Sequence, residues 1–438
     1  MSSQTGKKKQ IKGVRGVPTV SGEDCLFLNE IETTIETISN SYCFEEIRLP
    51  VIEHTELFNR TIGDSTDIVN KEMYTFPDKK GESLTLRPEG TASCVRYIIE
   101  SNLIVQTPLR LRYQGPMFRY ERPQKGRQRQ FNQVGFETFG MKSVFNEVEL
   151  LVMIEKIFER LEVKDLTLEI NCLGSENDRT RYADELDIYF HEKAHLLSDS
   201  QKETLNKNPL RLLDSKDPKL KEILHAAPTI NNYISESSAR NFDIFKDLLN
   251  AIDVDYKENN KLVRGLDYYS DLVFEWTTTN LGAQSAVCAG GRYDNLVEKM
   301  GGKPTAALGC AIGLERLLEL YKIKNQLAEK VNDKIYLIAT EEKYSNEVFL
   351  FSQKLRKLFG NLKIEFHSSE GSLKSKMKKA DKSGASIALL IGEEEINNNV
   401  VTFKDLRNKK SQETLSRHEV LDKLKKFGVN NKQEQQGD

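Results

Sequence analysis

The densest chemistry in this chain of 438 residues lies in the stretch Phe118-Arg-Tyr-Glu-Arg-Pro-Gln-Lys-Gly-Arg-Gln-Arg-Gln-Phe131 and its continuation Asn-Gln-Val-Gly-Phe-Glu137. Strand-like segments at Leu109 to Tyr120 and Phe131 to Gly140 flank it, so Arg119, Glu121, Arg122, Lys125, Arg127 and Arg129 gather at one hairpin tip. Fixed guanidinium forks match phosphate oxygens in pairs and neutralise the charge that develops in phosphoryl or nucleotidyl transfer. Taken alone, the composition fits a solvated basic hairpin equally well. On the outgoing strand Gln133 and Glu137 share parity and project from one face of a sheet, a face that could floor a pocket.

Two other groupings invite chemistry. His191-Glu-Lys-Ala-His195 matches the H-E-x-x-H pattern of helical zinc sites, in which two imidazoles one turn apart bind the ion and the glutamate acts as base. The pattern is short, Lys193 adds a cation inside it and no clear third ligand follows, so a surface helix is the preferred reading and no side chain is assigned to a metal. Near the C-terminus, Lys374, Lys376, Lys378, Lys379 and Lys382 crowd one helix, which suits phosphate tracking but more often marks a solvated face.

Positioning these groups requires a sheet. A helix over about Ser21 to Ser41, with Leu26, Ile31, Ile35 and Ile38 on its apolar side, leads into the strand Phe44 to Pro50. Strand signals recur at Met73 to Phe76, Ser83 to Leu86, Leu109 to Tyr120 and Phe131 to Gly140, and return at Val273 to Trp276, Ser285 to Cys288 and Ala307 to Ile312. One large antiparallel sheet flanked by helices accounts for them. The polar, lysine-rich stretch at about 178–250 interrupts it as an inserted helical subdomain, so the fold class is α+β. Strands and helices then alternate over 331–428, as in a small α/β domain with a mostly parallel sheet, and 429–438 reads as a disordered tail. The catalytic domain would span 1–325.

The length favours two or three domains. No apolar run approaches a bilayer span, which argues against a membrane role, and the polar N-terminus with Lys7-Lys8-Lys9 lacks a signal peptide's apolar stretch. Six scattered cysteines without a CxxC pair fit reduced thiols in the cytoplasm. A formal net charge of −2 gives no global attraction to nucleic acid, so an RNA partner would be met by local patches.

The hairpin resembles motif 2 of the class II aminoacyl-tRNA synthetases. Phe44 to Pro50 resembles their motif 1, which forms a dimer interface, and Ala307-Leu-Gly-Cys-Ala-Ile-Gly-Leu-Glu-Arg316 resembles motif 3, all in the right order. Leu262-Val-Arg-Gly-Leu-Asp-Tyr-Tyr-Ser270 and Ala286-Val-Cys-Ala-Gly-Gly-Arg-Tyr-Asp-Asn-Leu296 resemble the signature segments of the histidine-specific members, and Arg87-Pro-Glu-Gly-Thr91 resembles their amino-acid-binding segment. The last domain is similar to the anticodon-binding domain of several class II synthetases. Tyr120 departs from the pattern, because many relatives carry histidine there.

The resemblance implies a homodimeric histidine–tRNA ligase with L-histidine, ATP, Mg²⁺ and the histidine tRNA as substrates and partners. It further implies that Arg119 and Arg264 act on the α-phosphate, and that Glu121, Arg127 and Arg316 bind ATP with Arg119. Glu89, Gly90, Thr91, Gln133, Glu137, Arg264, Tyr268 and Tyr269 would bind histidine. A neutral imidazole carries one N–H donor and one bare nitrogen, and a carboxylate with a phenol can satisfy both. The alternative is a regulatory subunit of ATP phosphoribosyltransferase that charges no tRNA. Such paralogues lose catalytic residues and the last domain, both retained here.

Overall fold

The computed structural model describes residues 10–63, 66–124, 126–215, 217–282, 286–324, 334–360, 362–366, 371–407 and 412–433. Lys125 of the basic hairpin and the end of the expected tail, 434–438, lie outside the described residues. The chain divides into two units, Met1–Asn325 and Gln326–Asp438.

The strands of the first unit are β1 (Glu45–Ile47), β2 (Ile52–His54), β3 (Tyr74–Pro77), β4 (Ser83–Leu86), β5 (Leu109–Phe118), β6 (Gln130–Phe139), β7 (Thr167–Cys172), β8 (Lys257–Glu258), β9 (Ser270–Thr277), β10 (Ala286–Arg292) and β11 (Ala307–Gly313). An eight-stranded sheet runs β1-β5-β6-β11-β10-β9-β7-β8. Every pairing from β5 through to β7 is antiparallel, while the edge strands β1 and β8 lie parallel to their neighbours. Alternation splits the sheet's faces. Val134 and Phe136 of β6, Phe274 and Trp276 of β9, and Leu308 and Ile312 of β11 join the helices Glu23–Ser41, Val144–Arg160 and Leu314–Lys324 in the main core. Tyr113 of β5, Val273 of β9 and the Tyr268-Tyr269 pair pack on the other side.

Several expectations change. In the first helix the buried face is Phe27, Ile31, Ile35 and Ile38, and Leu26, one position off that stripe, is half exposed. β3 and β4 leave the large sheet and pair with β2 in a three-stranded one, a choice that strand periodicity cannot encode. The insertion has its own core of Tyr182, Leu186, Phe190, Leu205, Leu212 and Ile230, among others. It ends before the helix Glu236–Ala251, whose Phe245 and Leu249 belong to the main core, so the boundary near residue 250 is too late.

In the second unit the strands are β12 (Lys334–Ala339), β13 (Lys363–Phe366), β14 (Ile387–Ile391), β15 (Val400–Asp405) and β16 (Glu413–Ser416), in the order β13-β12-β14-β15-β16. The sheet is mixed rather than mostly parallel. β12 pairs in parallel with β13 and β14, but Asn399, at φ 53°, turns the chain back so that β15 and then β16 pair antiparallel. The last helix, Arg417–Gln433, also runs into the stretch expected to be disordered. Lys376 of the basic helix Leu373–Lys382 is buried and donates to Ala339 O at 2.9 Å, which removes it from the charged face. Among the described residues no helix is long and apolar enough to cross a membrane.

Truncating Phe245 tests the boundary. Phe245→Ala is expected to lower the stability of the first unit by about 3–5 kcal/mol, read as the shift of its unfolding transition in urea.

Candidate active site

The antiparallel register of β5, β6 and β11 sets Gln133, Gly135 and Glu137 of β6 beside Gly313, Ala311 and Gly309 of β11 and Gly115, Tyr113 and Leu111 of β5. A small-residue floor results. Above it opens a cavity of about 450 Å³. Of the residues singled out from the sequence, Glu89, Gly90, Thr91, Arg119, Glu121, Arg127, Gln133, Arg264, Tyr268, Tyr269 and Arg316 line it together.

Each cation is oriented by a fixed acceptor. Arg119 donates from Nε to Pro88 O at 2.8 Å and lies over the Phe131 ring at 5.3 Å. Arg264 faces Glu275 Oε2 at 3.4 Å and the Tyr269 ring at 5.7 Å. Arg316 donates to Gly126 O at 3.0 Å and Ala286 O at 2.6 Å, tying the basic hairpin to the start of β10. Arg127 bonds Glu121 and stands 3.6 Å from Glu72. Burial lowers the Arg119 pKa, and neighbouring Arg264 adds to the effect against Glu72 and Glu89. Burial opposes the charge of Arg264 too, but Glu275 leads the influences that leave its pKa raised. Of the other described hairpin cations, Arg129 stacks on the half-exposed ring of Tyr120 at 3.8 Å, and Arg122 is exposed.

Glu89 caps the helix Thr91–Glu100, accepting from Thr91 N at 2.6 Å and Ala92 N at 2.9 Å. Burial raises its pKa, while those amides and Arg119 favour the carboxylate. Tyr268 and Tyr269 sit with ring centroids 4.7 Å apart, and Tyr293 meets both.

Glu137 does not line the cavity. Its carboxyl is 1% exposed and accepts from Thr91 Oγ1 at 2.7 Å, Tyr113 OH at 2.9 Å and Tyr293 OH at 2.5 Å. Expected to read a ligand ring directly, it projects from the same face as Gln133 but is covered there, its oxygens occupied by three hydroxyls. Burial pushes its pKa up to about 8, against the hydrogen bonds of Tyr293, Thr91 and Tyr113. The fit leaves no spare space: a Cβ at Gly309 would stand 1.7 Å from Glu137 Oε2, and one at Gly135 would stand 2.1 Å from Tyr113 Cζ.

The sequence reading missed Glu72, Glu275, Tyr113, Tyr293 and Arg211. Glu275 could have been found from the strand alternation of β9, as the polar member between Phe274 and Trp276. Arg211, which comes from the insertion, carried no local signal. In the H-E-x-x-H segment the two histidines do not share one helix. Its helix ends at Glu192, His195 sits in the separate turn Ala194–Leu196, and His191 Nδ1 lies 2.9 Å from Asp187 O. Among the described residues no cluster of three or more His, Cys, Asp or Glu could hold an ion.

An antiparallel sheet with this cavity on its face, the basic hairpin and the β11-to-helix segment bordering the cavity, and a separate C-terminal mixed sheet together make up the architecture of a class II synthetase. The family model described as histidyl-tRNA synthetase matches residues 17–176 and 190–317, and the anticodon binding domain matches 334–427. Histidine–tRNA ligases of Hydrogenovibrio crunogenus and Ruthia magnifica are each 45% identical over 417 residues, 95% of this chain and 98% and 99% of theirs. The crystal structure of the apo histidyl-tRNA synthetase of S. aureus superposes with a TM-score of 0.77 at 30% identity, covering 96% of this chain and all of that one. The chain belongs to the histidyl-tRNA synthetase family.

Glu137→Gln gives a pH test. The folded-state pKa, about 8, lies above the ordinary value of 4.5. The stability of the protonated carboxyl is therefore fully present below about pH 4.5 and lost as pH rises through 8. Relative to the glutamine variant, the parent chain should lose roughly 3–5 kcal/mol across that window, measured by urea unfolding at intervals from pH 5 to 9. Gly135→Ala is expected to cost about 1–3 kcal/mol by driving a methyl into the Tyr113 ring, again read from urea midpoints.

Proposed function

We propose that this chain is a histidine–tRNA ligase that activates L-histidine with ATP and passes the histidyl group to the 3′ end of the histidine tRNA. The single observation carrying this reading is that Arg119 and Arg264 share one cavity with Glu89, Thr91, Gln133 and the Tyr268-Tyr269 pair. Two guanidiniums for a phosphate and a polar pocket for an amino acid thus stand side by side.

The carboxylate of histidine attacks the α-phosphorus of ATP. A C–O–P bond forms, the bond to the β-phosphate breaks, and pyrophosphate leaves. Arg119 and Arg264 stabilise the negative charge added at the α-phosphate, Arg127 and Arg316 hold the outer phosphates, and Glu121 meets the adenine edge. Glu89, Thr91 and Gln133 hold the amino end, and Tyr269 reads the ring, with Glu137 reaching it only if Thr91, Tyr113 and Tyr293 release their hold. The terminal ribose hydroxyl of the tRNA then attacks the activated carbonyl, forming the ester and releasing AMP, with both reactants held in place by the site.

Mg²⁺ would be held chiefly by the ATP phosphates, with Glu72 or Glu275 as an added hard oxygen donor, both lining the cavity. When bound, it neutralises charge on the departing pyrophosphate. The second unit, matched by the anticodon binding domain, would set the register of the tRNA. The outer edge of β1, which no strand pairs among the described residues, lies in the segment resembling motif 1 and is consistent with a homodimer, and the free cysteines are consistent with the cytoplasm. A regulatory role in ATP phosphoribosyltransferase is disfavoured by the complete site and by the second unit.

Among the twenty amino acids, histidine alone is expected to drive exchange of labelled pyrophosphate into ATP, and Arg264→Ala should reduce the rate about 10²–10³-fold. A folded chain that catalyses no histidine-dependent exchange would sink the proposal.

A further inference from the structure

The segment Leu262–Tyr269 carries Arg264, Tyr268 and Tyr269, yet it forms neither helix nor strand, so its shape depends on what grips it. It is also a thin wall. On one side lies the catalytic cavity, and on the other a second cavity of about 440 Å³ bounded by the insertion; Val263, Arg264, Gly265 and Leu266 line both. Apolar packing holds the segment at Leu262, Tyr268 and Tyr269, with Val263 and Leu266 against neighbouring cores, but Arg264 and Gly265 stand between the two cavities, where packing constrains the guanidinium less.

Polar ties add to that hold, and those at the centre of the segment come from the insertion. Arg211 Nη2 donates to Asp267 Oδ1 at 2.9 Å and to Gly265 O at 3.5 Å. Asn208 Nδ2 reaches the same Asp267 oxygen at 3.4 Å. Arg179 Nη1 donates to Asp267 O at 3.2 Å and to Tyr269 O. From the side of the helix Thr55–Ile62, Asp267 N donates to Ile62 O at 3.3 Å, and a Cβ on Gly63 would stand 2.5 Å from Asp267 Oδ2. Asp267 is thus pressed against the end of the helix Thr55–Ile62 by cations of the insertion.

We propose that Asp267, held by Arg211, is the positioning residue that sets the catalytic loop, and that the helical insertion is through this clamp a working part of the active site. Its kinetic consequence rests on the activation reaction proposed above; its structural consequence does not. Displacing the loop by about 1 Å is enough to cost up to ~10²-fold in rate, so the clamp should be visible in turnover without any contact between Asp267 and substrate.

The test uses the full chain with Arg211→Ala, Arg211→Lys, Asp267→Asn and the Arg211→Ala, Asp267→Asn double variant. Histidine-dependent pyrophosphate exchange is measured well below the melting transition, beside amide hydrogen exchange of the peptide 262–269. Arg211→Ala and Asp267→Asn should each lower kcat about tenfold or more, the double variant little further, with KM for ATP nearly unchanged and Arg211→Lys recovering much of the loss. Amides of 262–269 should exchange faster in Arg211→Ala while those of the helix Glu176–Glu192 do not. Unchanged loop exchange in Arg211→Ala overturns the clamp, as does a kcat deficit that tracks only a lowered melting temperature. Absent turnover in the parent chain would instead strike the functional reading, and loop exchange would still decide the clamp.

Discussion

Holding several guanidiniums together in a buried space is the constraint on which the rest of this structure depends. Burial disfavours the charge of Arg119 and of Arg316, and each also feels the other's repulsion or that of a further arginine. Such an arrangement persists only if carboxylates stand close by without quenching it. Glu72, Glu89 and Glu275 do this from three different parts of the chain: the short helical segment Ile68–Glu72, the cap of the helix Thr91–Glu100 and the middle of β9. A site so poised toward positive charge is completed by a polyanion, and binding one relieves repulsion that folding leaves in place.

The large sheet makes this tolerable. Its antiparallel core gives a rigid floor on which alternate residues face the cavity, while their neighbours anchor in the helix-backed core. Glycines at 135 and 309 keep the floor low, and the depth so gained is filled by the Tyr113 phenol and the Glu137 carboxyl, which Tyr293 also bonds. A protonated or shared carboxyl beneath a ligand pocket is a reserve of charge. Burial favours its neutral form, and an arriving cationic group would favour its ionisation.

The loop above the floor obeys a different rule. Where the sheet is held by dense packing throughout, Leu262–Tyr269 adds to its packed residues directional bonds from Arg179, Asn208 and Arg211 across a cavity. Directional bonds give a loop a definite position and still allow it to move when a ligand offers better partners. An insertion with a core of its own suits that task, and Val263 of the loop packs against that core beside the polar ties.

From the sequence alone came the residue chemistry and its order: a basic hairpin between two strands, the Arg87-to-Thr91 segment, the paired tyrosines after Arg264, and the glycine-rich strand before Arg316. Those features are local, since strand alternation, turn residues and charge clustering are written in neighbouring positions. Which sheet β3 and β4 join, where the insertion ends and that Glu137 is covered by Thr91, Tyr113 and Tyr293 were decided only in three dimensions. So was the arrival of Arg211 at Asp267, across 56 positions of sequence. Contacts between distant segments depend on register, burial and the competition among hydroxyls for one carboxyl, quantities that no window of sequence contains.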